Sequence, residues 1–599
     1  MRISNRIRRF CNSGYYPVAL TFFYLAVTGV LSCIADWPAE RIASSLIRWV
    51  PWNLRFDLFL VLIGLFLCRR DIISSLAELF WHRNGPGRKG HLKKEGVLLI
   101  VLVLASFALT CFAAPRVHRI YYDEDIYASM GQAIAETGRT GLVGFGVFEY
   151  GEFSADWLTY YKEPSGWPFL LSVVFQIFGT GEVQAFLLNN LILASGVAVV
   201  FFIVHTIAGR FFPAFLAALV LALIPHNLIW SNTMAAEPSA ALFAGIAVLC
   251  LAVYIRTGYP RHLFMTAVVF PLACQMRAES GLMLPWAALA LLLIPLADSE
   301  RFWKRRDFWT IGLLGLILLL PHFLHFLAVG GQSWGAQGAK FSTEYFMNNL
   351  LVNGPYYFNN AGFPVLFSIL ALIGLFFFGT ALRWRLLMAA WFFLTWGVFL
   401  FFYAGSYKYG ADVRFALVTF MPLAALAGMG ADRVRAWIES ITHLGTSESQ
   451  ESSLHMPGRH YGVLLSILLI ISWLPFLPLV RTVGQEAWGA RYDHRYALEF
   501  IKKIPERSIV LTHVPTLFLV QGKSAIQVDA GIHNPDLIRD LLQRFNGHVY
   551  FHYNFWCNID SDPNPKLCAE IRKLYNLEEI ASGREQKYEY GLYKISLKN

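Results

Sequence analysis

Apolar and polar positions alternate along this chain in long blocks. Runs of about 20 apolar residues recur from the first fifty residues to about position 480, each bounded by Arg, Lys, Pro or polar clusters, the pattern of bilayer-spanning helices. Spans are expected near 17–35, 54–70, 96–114, 184–208, 213–231, 238–256, 262–276, 281–297, 308–328, 362–382, 386–403, 413–430 and 461–480, about thirteen crossings. Between the third and fourth lies a long patterned loop. In YYDEDIYASMGQAIAETGRTG the apolar Ile126, Met130, Ala133 and Ile134 repeat at helical spacing, predicting an amphipathic helix along the membrane surface. PSGWPFLLSVVFQIFGTG is apolar over only about eleven residues, too short to span, and reads as an interfacial or re-entrant helix.

The pattern changes after Ala487. RYALEFIKKIPERSIVLTHVPTLFLVQGKSAIQVDAG reads as helix, strand, short helix, strand, and LIRDLLQRF followed by GHVYFHYN repeats helix then strand. The expected architecture is therefore a polytopic α-helical membrane protein with a small C-terminal α/β domain. Its units are residues 1–95 (two leading spans and a basic loop), 96–480 (a helical module carrying the loop 115–168) and 485–599 (the soluble domain).

Composition agrees. Of 599 residues 56% are hydrophobic and only 15% charged, against roughly 25% charged in soluble domains, and the mean hydropathy of +0.47 excludes a wholly soluble protein. The net charge of +10 is sorted by loop. Arg2, Arg6, Arg8 and Arg9, the segment from Arg69 to Lys94, Arg301 to Arg306, and Arg383 with Arg385 are basic, whereas Pro115–Pro168 holds eight acids and four bases. The positive-inside bias puts the N-terminus in the cytoplasm. An odd number of spans then puts the loop 115–168 and the C-terminal domain outside the cytoplasmic membrane. Charge distributed this way marks topology and argues against a nucleic-acid partner. Of eight cysteines only Cys557 and Cys568 lie beyond the membrane segments and the N-terminal tail, and an oxidising compartment favours a disulfide between them. The polar insert THLGTSESQESSLHMPGRHYG reads as a flexible connector.

The strongest chemical signal is Asp123-Glu124-Asp125, just past the end of a span. Solvated surface acids are one reading. Carboxylates held against a bilayer, serving as base or metal ligand, are the other. Glu237 and Glu279 lie at expected outer helix ends, Glu279 two residues from Arg277, which also allows a purely structural pair. Lys162-Glu163-Pro164 sits on the acidic loop, and Tyr407, Lys408, Asp412 and Arg414 gather at the mouth of the twelfth span. Cations at that level suit a lipid-linked phosphate. His322 and His325 lie three apart on one helical face, an arrangement suited to a metal or, more simply, to packing. No Walker loop, dinucleotide glycine pattern, nucleophile-elbow serine or zinc-protease helix occurs, which argues against an ATP-driven pump or a nucleotide-sugar enzyme.

At these residues the sequence resembles the lipid-dependent glycosyltransferases of the GT-C fold, in the group of protein O-mannosyltransferases and lipid A aminoarabinose transferases. YYDEDIYASMGQAIAETG is similar to the family's D-E-x-x-Y loop, through Asp123, Glu124 and Tyr127. YYKEPSGWPFLLSVVFQIFG is similar to its Lys-Pro segment and short apolar helix, Lys162-Glu163-Pro164 matching only approximately. Glu237, the run Arg277-Ala278-Glu279, and Asp412, Arg414 and Pro422 correspond to later motifs. The resemblance covers about residues 96–480, so the first two spans precede its usual start. It implies sugar transfer from a polyprenyl-phosphate donor to a lipid, glycan or protein acceptor, with inversion, on the outer side of the cytoplasmic membrane. Asp123 would be the general base, with Glu124 as its catalytic neighbour. Lys162, Arg277 and Arg414 would hold the donor phosphate, and Glu237, Glu279 and Asp412 would orient the acceptor or a metal. A divalent metal ion is the one cofactor left open. A transporter or flippase for a lipid-linked sugar is the rival class, though the paired broken helices that would favour it are not evident.

Overall fold

A computed structural model describes residues 15–81, 93–297, 301–359, 361–377, 381–408, 412–444, 458–483, 488–559 and 563–598. Each apolar run becomes helical. Among the described residues seven helices are long and apolar enough to cross a membrane, and an eighth span arises if Phe211–Leu223 and Pro225–Ser231, bent by 61° at their junction, count together. The other expected crossings are helices that are shorter or more charged. The run at 54–70 is the middle of a 42-residue helix, Ala39–Phe80. The runs at 262–276, 281–297, 362–382 and 386–403 become Pro260–Met276, Met283–Leu293, Val365–Phe377 and Leu382–Leu400. Most of the polar insert, 445–457, lies outside the described residues.

The bundle closes around its most buried helix, Leu417–Leu444. Glycine permits one close approach: a side chain on Gly374 or Gly430 would collide with the carbonyl of Leu426 or Leu370. Val365–Phe377 and Leu417–Leu444 therefore meet backbone to backbone, the usual substitute for hydrophobic driving force inside a bilayer.

Seven strands form one sheet in the order β2-β1-β4-β3-β5-β7-β6. Strands β3 (Ile509–Thr512), β4 (Ser524–Gln527) and β5 (Val549–Tyr553) are parallel to one another. They alternate with the helices Pro515–Leu519 and Pro535–Arg544 as the sequence pattern predicts. The antiparallel pair β6 (Tyr575–Glu585) and β7 (Tyr588–Leu597) closes one edge. The other edge comes from the loop 115–168, where β1 (Leu142–Glu149) and β2 (Glu152–Thr159) form a hairpin and β1 pairs with β4 through Phe145–Ile526 and Gly146–Ala525. Tyr150 and Gly151 at its tip both have positive φ, 54° and 81°, the turn that matches strand twist. Because one sheet holds both segments, the loop and the C-terminal domain lie on the same side of the bundle. Cys557 and Cys568 are disulfide-bonded.

The helix expected along the membrane surface is present as Asp123–Thr137, but it is not half-solvated. Of the eleven residues Glu124–Ile134, all but Ile126 are buried. One side packs on the short helix Gly166–Phe178, where Gly131 faces Leu171 and Pro168, and the other lies under the sheet domain.

Candidate active site

The third helix ends at Phe112 and the chain turns toward the sheet through Pro115–Tyr122. Tyr121 takes a left-handed φ of 40°, a strained value for a bulky residue of the kind that gathers at functional sites. It starts the next helix with Asp123, which opens onto a cavity of about 970 Å³ between the bundle and the sheet domain.

The charged lining of this cavity comprises Asp123, Lys162, Glu163, Arg277, Glu279 and Arg414. Tyr161 Oη donates to Asp123 Oδ1 at 3.0 Å, and burial together with the nearby carboxylate pushes the phenol well above its ordinary value, so it stays a donor. Arg414 bridges two acids loosely: Nη1 is 3.7 Å from Asp123 Oδ2 and Nε is 3.7 Å from Glu237 Oε1. Arg414 Nη1 is buried and makes no hydrogen bond. Arg277 is more heavily engaged. It donates to Glu237 and Glu279 at 2.9 Å each, with Glu163 at 3.7 Å, so the pair Arg277–Glu279 allowed by the sequence is part of a four-residue cluster. Lys162 forms no ion pair among the described residues.

Aromatic and aliphatic side chains, among them Phe323, Phe326, Phe341, Phe402 and Leu284, line the rest of the wall. From the sheet domain come His513, Pro515, Gln527 and Trp556. Burial pushes the His513 imidazole down to about 4, so it is neutral at physiological pH.

Seven of the expected residues can be located, and one cannot. Asp123, Lys162, Arg277, Glu279 and Arg414 line one cavity, and Glu237 sits fully buried just behind, reaching it through the two arginines. Glu124 does not reach it. Its Oε1 accepts from the Arg119 and Ile120 amides at 2.6 and 3.2 Å and its Oε2 from the Met234 amide at 2.6 Å, so it ties the loop to a bundle helix end. Asp412 lies outside the residues whose side chains are described. His325 bonds Tyr160 at 3.0 Å, a packed histidine, while His322 lines the cavity. Tyr161 and the residues contributed by the sheet domain were not singled out by the sequence: nothing local marks Tyr161 as the partner of Asp123, 38 positions away, or the sheet-domain residues, which lie hundreds of positions further on.

Among the described residues, the cavity's carboxylates are not among the groups spaced to share a metal ion; they converge on guanidinium groups instead.

The family model for dolichyl-phosphate-mannose-protein mannosyltransferases matches residues 162–325, which carry Lys162, Glu237, Arg277 and Glu279. Two solved structures of ArnT from Cupriavidus metallidurans are similar to this chain along most of its length. The one bound to undecaprenyl phosphate has a TM-score of 0.52 at 14% identity, covering 84% of this chain and 99% of that one. The apo form has a TM-score of 0.53 at 14% identity, covering 84% and 98%. The fold is that of the GT-C glycosyltransferases. No curated protein matches the chain in sequence. The cavity described above is lined by residues of the helical bundle, of the 115–168 loop and of the sheet domain.

Proposed function

We propose that this GT-C protein moves a sugar from a polyprenyl-phosphate donor to a hydroxyl of a lipid, glycan or protein acceptor on the outer face of the cytoplasmic membrane. The observation that carries the reading is the mixed lining of one cavity, charged and apolar. Its lining joins Asp123, the loosely engaged Arg414 beside it and Lys162 to a wall of Phe and Leu side chains. A prenyl chain fits the apolar wall, and the buried, unbonded Arg414 Nη1 can close on a phosphate oxygen. ArnT, similar in fold, is described as bound to undecaprenyl phosphate, the same class of lipid.

In the reaction proposed, an acceptor hydroxyl oxygen attacks the anomeric carbon from the face opposite the phosphate. Asp123 takes the hydroxyl proton. The bond from carbon to phosphate oxygen breaks, and the lipid phosphate leaves with the electron pair, its new charge held by Arg414 and Lys162. One displacement inverts the centre. Tyr161 fixes the carboxylate's orientation, and Glu237 with Arg277 holds Arg414 in register. Every step runs through side chains of this chain, and no metal is required by it.

The test is transfer by purified protein in detergent from a polyprenyl-phosphate sugar mixture, followed by mass spectrometry of the acceptor. Asp123→Asn keeps the shape and the Tyr161 contact but loses the base. General-base help contributes about 10²–10⁴-fold, so turnover should fall by at least about 100-fold while melting behaviour is kept. Undiminished turnover in Asp123→Asn rules out Asp123 as the base.

A further inference from the structure

Beside the cavity, and outside it, four ionisable side chains from four separate segments meet. His118 comes from the turn after the third helix, Asp125 from the first turn of Asp123–Thr137, Glu182 from the first residue of Glu182–Ala208, and His494 from Trp488–Ile501 of the sheet domain. His118 and Asp125 are 6% and 2% exposed. The rings of His118 and His494 face each other with centroids 4.2 Å apart. Around them the carboxylates alternate: His118 Nδ1 is 3.7 Å from Asp125 Oδ2 and its Nε2 is 3.8 Å from Glu182 Oε2, while His494 Nδ1 is 3.6 Å from Asp125 Oδ1 and its Nε2 is 3.0 Å from Glu182 Oε1.

Two features are hard to reconcile with a plain hydrogen-bonded cluster. Both ring nitrogens of His118, Asp125 Oδ1 and His494 Nδ1 are buried without a hydrogen-bond partner, and each such group loses its water without replacement. Charge is the second. Neutralising two ionised carboxylates with the imidazoles alone requires both rings to be protonated, stacked at 4.2 Å, where like charges repel. The one further donor seen here is Gln521, whose Nε2 bonds Glu182 Oε1 at 2.8 Å. A divalent cation removes both difficulties, since it balances two carboxylates and leaves the imidazoles neutral as ligands.

We propose that His118, Asp125, Glu182 and His494 form a tetrahedral Zn²⁺ site that clamps the sheet domain to the 115–168 loop and the helical bundle. One donor atom from each residue lies within 4.8 Å of the other three. Zinc–nitrogen and zinc–oxygen bonds of about 2.0–2.2 Å set tetrahedral donor separations near 3.4 Å, so the four donors, gathered within 4.8 Å of one another, need only side-chain rotation to close on an ion. Two imidazoles among four donors suit zinc, whereas Ca²⁺ and Mg²⁺ take six or more oxygens. The site is structural, with four protein ligands. Its consequence for the cavity is positional, because Asp125 and Asp123 share one helical turn, and it stands independently of whether sugar transfer is the activity.

The full-length protein, purified in detergent without chelators and equilibrated with Zn²⁺, is the material for the test. Metal analysis should find on the order of one Zn²⁺ per chain, retained through desalting, and chelation should lower the melting temperature of the wild type. Co²⁺ should substitute with the visible absorption of tetrahedral coordination. His494→Ala and Glu182→Gln should each weaken binding by at least about 100-fold, the upper range for losing even an outer partner, while His533→Ala, an exposed histidine of the same domain, binds as the wild type does. Wild-type protein that is folded yet retains no Zn²⁺ overturns the proposal without recourse to any variant, as does metal retention by Glu182→Gln equal to that of the wild type.

Discussion

Removing the Asp493 carboxylate should loosen the roof of the cavity. Asp493 lies on Trp488–Ile501 and is fully buried. Its Oδ2 accepts from Tyr122 Oη at 2.6 Å, and its Oδ1 is 3.0 Å from His552 Nε2 on β5. Tyr122 precedes Asp123, so this contact ties the start of the helix Asp123–Thr137 to the sheet. Burial and the carboxylate hold the Tyr122 phenol far above its ordinary value, which keeps it a donor. A hydrogen bond to a charged group contributes about 1.5–3 kcal/mol. His552 sits off the line of a straight hydrogen bond and adds an electrostatic share, so Asp493→Ala, which strands a buried hydroxyl and imidazole, should cost about 3–5 kcal/mol in all. Tyr122→Phe alone should cost less. In a double-mutant cycle read by denaturant-induced exposure of the sheet domain, the two should couple by about 1.5–3 kcal/mol. Additivity within about 0.5 kcal/mol refutes the claim that this bond holds loop to sheet.

Four further outcomes are expected. Arg414→Ala should lower kcat of sugar transfer by about 10²-fold or more as charge stabilisation is lost, whereas Lys162→Ala should raise KM for the polyprenyl-phosphate donor more than it lowers kcat; initial-rate kinetics separates the two. Replacing Cys557 and Cys568 by Ser opens a loop with a sequence separation of 11 and should destabilise the domain by about 2–4 kcal/mol, measured against the disulfide-bonded wild type. Glu124→Ala strands three amide donors and should cost at least about 3 kcal/mol at about 1–3 for each, seen as lower melting temperature together with lost activity. His513 has its imidazole lowered to about 4 by burial, so its contribution is complete above the unfolded value near 6.5 and declines as pH falls from there toward 4; the stability gap between wild type and His513→Gln should narrow over that window.

The helical half of the fold was legible because each span must satisfy its own backbone in an apolar stretch about 20 residues long, a signal that needs no knowledge of partners. Of the sheet, the alternating helix–strand run from Trp488 to Tyr553 was legible for a similar reason. The β1–β2 hairpin was not. Its residues join β4 across more than 350 positions, through Phe145–Ile526, and neither segment carries a local mark of the other. The amphipathic pattern of 123–137 was read correctly as a helix, but its polar face, expected to meet water, is covered by the sheet domain instead.

The acidic triplet shows the same limit at the scale of one turn. Successive residues of a helix project about 100° apart, so Asp123, Glu124 and Asp125 cannot share a destination. The first opens onto the cavity beside Arg414. Glu124 closes on three backbone amides, and Asp125 meets His118 and His494. Sequence alone marks all three as costly near a membrane and therefore purposeful. Which one does chemistry depends on what the other elements bring to each face, and only Asp123 is brought next to an incompletely engaged cation and an apolar wall. The other two acids then hold that first turn from either side, one to the bundle and one to the sheet domain, which fixes Asp123 as the general-base role proposed for it requires.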